Sequence, residues 1–171
     1  LVGTFDKPRY IDFRDDLCAH SRSRKVGCRR CLDLCPTGAI TPAGDHVAID
    51  AGICAGCGSC AAVCPTGAAA YDAPAADATL TRLRAMLTAY RAAGGEWPVV
   101  LVHDGQHGAD LIDALARYGA GLPANVLPFE MDEVTAAGPE LAAAAFAWGA
   151  AAIRFLTRAR PKHDTAGLAA T

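Results

Sequence analysis

The apolar positions follow two different rhythms along the chain. Up to about residue 71 they come in short alternating segments. "RYIDF" (9–13) and "HVAID" (46–50) alternate with period two and predict strands. Two more short strands are predicted after the cysteine loops, at Ala39–Thr41 and Ala68–Tyr71. From residue 80 the period lengthens. Leu80, Leu83, Met86, Leu87 and Tyr90 share one helical face, and Gly94-Gly95 stop that helix. "PVVLVH" (98–103) is a buried-type strand, and "GADLIDALARYG" (108–119) is an amphipathic helix closed by glycine. "NVLPFE" (125–130) is a strand, "PELAAAAFAWGA" (139–150) a helix opened by Pro139, and "AAIRFL" (151–156) a third strand.

Strand–helix alternation with right-handed crossovers implies a parallel sheet covered by helices. Three strands make a short sheet, so residues 97–171 read as a partial three-layer α/β domain, truncated where the tail 157–171 would supply a further helix. Phe146 and Trp148 read as core. "DAPAAD" is a linker by composition. The expected organisation is a first domain over 1–72, a linker and helix over 73–96, and the α/β domain over 97–171.

The first domain repeats itself. "CRRCLDLCPTGAI" (28–40) aligns with "CGSCAAVCPTGAA" (57–69) at an offset of 29. Each copy reads strand, cysteine loop, helical turn, strand.

Charge narrows the partners. Lys and Arg number 16 against 18 Asp and Glu, a net charge of −2, which argues against a general nucleic-acid binder. The longest apolar run, Leu141 to Ile153, is too short to span a bilayer, which takes about 18–20 residues. No signal peptide is visible, so a cytoplasmic location is expected. The chain begins with Leu, and a piece of a longer protein is expected. All eight cysteines lie from Cys18 to Cys64, and with CxxC spacings they read as metal ligands rather than disulfides.

The second repeat holds a full ligand run, Cys54-x2-Cys57-x2-Cys60-x3-Cys64-Pro65. In such a run three thiolates converge on one face of an iron–sulfur cube, and the fourth points to a second cluster. One zinc ion is instead held by two CxxC knuckles with a longer spacer. The first repeat keeps Cys28-x2-Cys31-x3-Cys35-Pro36, but its remaining cysteine, Cys18, is separated from Cys28 by nine residues. Three readings of Cys18 stay open: a ligand on a longer loop, a free thiol beside a three-iron cluster, or a bystander to a site completed by His20. Counting favours the first, because eight cysteines make two sets of four.

"CAGCGSCAAVCPTGA" and "CRRCLDLCPTGA" together resemble the bacterial ferredoxin family that carries two [4Fe–4S] clusters, over about residues 9–71. The resemblance implies a ferredoxin-like α+β dicluster fold with a pseudo-twofold pair of βαβ-like units. It implies crossed ligation: Cys18, Cys28, Cys31 and Cys64 for cluster I, and Cys54, Cys57, Cys60 and Cys35 for cluster II. It also implies one-electron transfer, as a component of an oxidoreductase serving redox protein partners rather than a catalyst alone. Ile11, Phe13, Leu34, Ile40, Ile49, Ile53 and Tyr71 are expected to line the clusters.

In the second region, His103, Asp104 and His107 are placed in the loop after a strand, where open α/β sheets bind ligands. They read as an ordinary polar turn, with a metal or anion site as the other reading. "GLPANVLPFEMDEV…AAFAWGAAAIRFL" resembles the delta-subunit family of methyl-viologen-reducing hydrogenases over about 97–160. That family typically carries cluster cysteines and this region has none, so a scaffold or docking role is implied. Two other functions stay open: a small-molecule or partner-binding module with structural clusters, and a zinc-stabilised interaction domain.

Five of the nine residues from Arg22 to Arg30 are basic, while 36–81 holds four Asp and no Lys or Arg. Positive charge stabilises the reduced, more negative cluster. Cluster I is therefore expected to titrate at the higher potential. A redox titration followed by EPR checks this, with the two signals assigned through a ligand variant; equal potentials or the reverse order refute it.

Overall fold

The computed structural model describes residues 3, 6–22, 25, 27–163, 165 and 168. Arg24 of the basic loop and most of the tail beyond 163 lie outside them. The described chain runs β1 (Ile11–Phe13), α1 (Arg30–Leu34), β2 (Ile40–Ala43), β3 (His46–Ile49), α2 (Ser59–Ala62), β4 (Ala69–Tyr71), α3 (Ala76–Ala92), β5 (Val99–Asp104), α4 (His107–Tyr118), β6 (Val126–Met131), α5 (Pro139–Ala147) and β7 (Ala152–Leu156). Two 3₁₀ turns, Asp15–Leu17 and Val134–Ala136, punctuate it. No described helix is long and apolar enough to cross a membrane.

In the cysteine-bearing part, the first strand of each repeat pairs with the last strand of the other. β1 runs antiparallel to β4, with Ile11 opposite Tyr71, and β2 runs antiparallel to β3, with Ile40 opposite Ile49. Two backbone bonds extend the pairings in matching places: Arg14 N–H to the Ala68 carbonyl at 2.8 Å, and Asp50 N–H to the Ala39 carbonyl at 2.9 Å. Alternation explains the faces. Ile11, Ile40 and Val47 turn inward and are buried together with Cys18 and Cys60.

The remaining strands form a parallel sheet in the order β6-β5-β7. β5 feeds α4 and then β6 on one side, and α5 returns the chain to β7 on the other. The register places Val100 beside Leu127 and Ile153, and Val102 beside Phe129 and Phe155, on one face. α3 and α5 cover that face, with Leu83, Leu87, Leu141 and Ala145 closing the core. Leu83 and Leu87 are four apart, one above the other on α3, and both are fully buried. α4 lies on the opposite face, where Gly108 abuts His103.

That second face is thinly covered. Leu111, Leu115 and Tyr118 recur at helical spacing on α4, yet all three are exposed. One helix cannot bury its own apolar stripe against a three-stranded sheet and have a layer left to cover its outer flank. Phe146 departs from its expected core position: it is 54% exposed, on the outer side of α5, while Trp148 packs against the core. The helix opened by Pro139 ends at Ala147, beside the expected stop at Gly149, which takes a left-handed conformation at φ 94°.

The two parts meet at Val134–Ala136, and these buried residues belong to the α/β core. Thr135 Oγ1 donates to the Cys57 carbonyl at 2.6 Å. Beside it, Gly58 has φ 72° and its α-carbon faces Ala136 so closely that a Cβ there would collide with the Ala136 methyl. Tyr71 packs against both cores, and burial together with the nearby Glu133 and Asp132 carboxylates raises its phenol above the ordinary range.

Leu83→Ala deletes a fully buried side chain from the sheet–helix core. It should cost about 2–5 kcal/mol in urea unfolding, whereas half-exposed Phe146→Ala should cost under about 1.5 kcal/mol.

Candidate metal centre

The eight thiols are all free and line two cavities. One is walled by Cys18, Cys28, Cys31 and Cys64, with Phe13 and Val47. The other is walled by Cys35, Cys54, Cys57 and Cys60, with Ile40 and Ile49. Each set takes three cysteines from one repeat and one from the other. Strand exchange explains this: β2 and β4 each carry the chain away from their own loop and leave Cys35 and Cys64 facing the neighbouring one.

The route by which Cys18 reaches its set is a closed excursion. The Cys28 N–H donates to the Ala19 carbonyl at 3.2 Å, and the Gly27 N–H to the His20 carbonyl at 2.7 Å. His20 is buried, and its Nδ1 lies 2.9 Å from the Cys28 carbonyl; since a carbonyl only accepts, Nδ1 carries the hydrogen. These three bonds form a neck that joins Ala19 and His20 to Gly27 and Cys28. Gly27 permits it, because a Cβ there would stand 2.9 Å from the Ala19 carbonyl oxygen. The Ser21 N–H also reaches the Asp45 carbonyl at 3.1 Å, tying the excursion to the turn between β2 and β3.

Donors surround the sulfurs. Gly56 N–H points to Cys54 Sγ and Ala69 N–H to Cys64 Sγ, each at 3.4 Å. Thr37 Oγ1 lies 3.7 Å from Cys35 Sγ, and Thr66 Oγ1 lies 3.7 Å from Cys64 Sγ. These two threonines follow from the repeated C-P-T and could have been found in the sequence. Thr135, Gly27 and the histidine neck carry no local signal.

The environment splits the thiols. Burial pushes the Cys31 thiol up to about 11, and the neighbouring Cys28, Cys18 and Cys64 add to the rise. Burial pushes Cys60 up to about 12, with Cys57, Cys54 and Cys31 adding to it. Cys31 acts on Cys60, so the two sets are neighbours. At Cys35 and Cys64 burial also works upward, but hydrogen bonds from the Thr37 and Thr66 regions outweigh it and bring both thiols below the ordinary value. Packing four thiols together is unfavourable to their ionisation. A cation that takes thiolates relieves this and releases protons, so its binding strengthens as pH rises.

Other expected residues divide. Ile11, Phe13, Leu34, Ile40, Ile49 and Tyr71 are buried or half-buried near the cysteines. Ile53 is not: it is 51% exposed, because the turn that leads into Cys54, held by Asp50 Oδ1 on Gly52 and Ile53 N–H, directs it outward. His103 and Asp104 fall inside β5 rather than in the loop, and His107 opens α4. The Asp104 carboxylate caps α4 through the Gln106 and Gly108 N–H groups, and Arg158 lies 3.5 Å away. His103 Nδ1 lies 2.9 Å from the Asp104 carbonyl. Among the described residues no group of three or more His, Cys, Asp or Glu side chains is arranged to hold a single metal ion. The cationic loop is partly neutralised, with Arg29 paired to Asp33 at 3.4 Å, while Arg30 reaches the wall of the first cavity.

Residues 24–68 match the family model of the 4Fe-4S dicluster domain. No curated protein and no solved structure matches the chain. The match begins after Cys18, so the likeness to ferredoxin-type domains rests on the other seven cysteines. No match covers 97–160, and the resemblance to the hydrogenase delta-subunit family has no support from these comparisons.

The split in thiol acidity has a direct readout. A thiolate alkylates and a thiol does not, so a lowered value means reaction at lower pH. In the metal-free chain, while circular dichroism shows it folded, alkylation between about pH 7 and 9 should label Cys35 and Cys64 before Cys31 and Cys60, as read by peptide mass spectrometry.

Proposed function

We propose that the chain is an electron-transfer module holding two [4Fe–4S] clusters in a pseudo-twofold dicluster fold, with Cys18, Cys28, Cys31 and Cys64 around cluster I and Cys35, Cys54, Cys57 and Cys60 around cluster II. The observation that carries it is the partition of eight free thiols into two cavities of four, each drawing on both repeats. The donor chemistry fits: all-thiolate sets with N–H and hydroxyl groups aimed at sulfur are the setting of iron–sulfur cubes.

When bound, each cluster takes up and gives back one electron. The chain's own residues set the terms. N–H groups of Gly56 and Ala69 and the hydroxyls of Thr37 and Thr66 offset negative charge on the ligating sulfurs. Ile11, Ile40 and Val47 keep water from the space between the sets.

The module serves a larger cytoplasmic redox protein or complex as an oxidoreductase component, exchanging electrons with redox protein partners and not with nucleic acid or a membrane interior. The zinc reading is less well supported, since a structural zinc site pairs two CxxC knuckles across a longer spacer, unlike the run Cys54-x2-Cys57-x2-Cys60-x3-Cys64.

Protein purified without air should hold about eight irons with matching acid-labile sulfide and a broad absorption near 400 nm. Cys18→Ser should retain cluster II and lose an iron from cluster I. Two intact four-iron clusters in that variant would remove Cys18 from the ligand set, and zinc in place of iron would end the electron-transfer reading.

A further inference from the structure

The α/β part has no cysteine, yet it reaches the peptide at the heart of the second thiol set. Thr135 Oγ1 donates to the Cys57 carbonyl at 2.6 Å, across 78 residues of sequence, and both residues are buried. This is at the short end for an O–H···O bond. The Cys57 carbonyl and the Gly58 N–H belong to one planar trans peptide, so they point in opposite directions. Anchoring the carbonyl on Thr135 turns the Gly58 N–H the other way. Gly58 lines the cavity of Cys35, Cys54, Cys57 and Cys60. The loop has little else to fix that peptide: Gly56 and Gly58 both sit in left-handed conformations, at φ 75° and 72°, and the helical turn begins only at Ser59. Ala136, from the same 3₁₀ turn, blocks Gly58 from shifting outward. The turn itself is held in the α/β core by Val134, Ala136 and Ala137.

We propose that Thr135 is a positioning residue for cluster II, and that one function of the α/β part is to fix the 57–58 peptide with its N–H turned toward the cavity of Cys35, Cys54, Cys57 and Cys60. This rests on the ligand set given above. A donor held toward sulfur favours the reduced, more negative state. Without the hydroxyl, the peptide is free to rotate and the donor is lost.

The test uses the full chain, purified anaerobically. Thr135→Val keeps the branched shape and removes the hydroxyl; Thr135→Ser keeps the hydroxyl. The valine variant should lower the midpoint potential of cluster II, leave that of cluster I in place, and release iron from cluster II to a chelator roughly fivefold faster, the factor that one net hydrogen bond carries. The serine variant should restore both values. The inference is overturned by a valine variant with unchanged potential and release rate, by a serine variant that behaves like valine, or by equal changes at both clusters, which mark a general loosening. Wild-type protein that binds far fewer than about eight irons would instead refute the two-cluster reading itself, independently of Thr135.

Discussion

The structure depends on bringing four thiols together twice, against their own preference. Burial and the neighbouring sulfurs raise Cys31 in one set and Cys60 in the other, while hydrogen bonds lower Cys35 and Cys64. No short segment holds such a set unaided. The chain meets the constraint by exchange: β1 with β4 and β3 with β2, so that neither repeat completes a set without the other. An isolated repeat keeps three thiols of its own set, turns its fourth away from them, and leaves both of its strands unpaired. The pair has two closed sets and no missing partner. Cooperativity follows from this geometry, because opening either strand pair disturbs both cavities.

The α/β part enters the same scheme from outside. Its sheet and helices form a core of their own around Leu83, Val102 and Phe129, but the turn after β6 projects from that core into the seam. The contact there combines a buried hydrogen bond with a close approach that only glycine at position 58 allows. Rigid structure at a distance thus bears on a loop that is itself short and rich in left-handed glycine. The exposed apolar stripe of α4 lies on the opposite sheet face.

Much of this was readable from the residues. Period-two and helical spacing located β1, β3 and the strands and helices from α3 to β7 to within a few residues, and the repeat located both cysteine loops with their helical turns and following strands, while the 3₁₀ turn Val134–Ala136 was not foreseen. The sorting of thiols between cavities came only from family resemblance, because spacing says nothing of which strands will pair. Ile53 and Phe146 were misjudged for a common reason: hydrophobicity marks a residue as able to be buried, while the turn held by Asp50 and the outer flank of α5 decide whether it is. Asp104 looks like a loop residue by composition, and pairing with Met131 draws it into β5 behind His103, the last residue of the expected strand. Thr135 could not be found at all, since its partner lies 78 residues away.

The neck formed by Ala19, His20, Gly27 and Cys28 separates two things that are usually joined, the spacing of ligands along the chain and their spacing in space. Stretching the interval between two such cysteines from two residues to nine adds only roughly 1 kcal/mol of loop-closure entropy. The three bonds across the neck offset a cost of that size. Once closed, the neck makes the length of the excursion nearly neutral to the site beneath it. This fold therefore contains a position beside the first thiol set where sequence can be inserted, lengthened or recharged while the arrangement of the sulfurs is inherited unchanged.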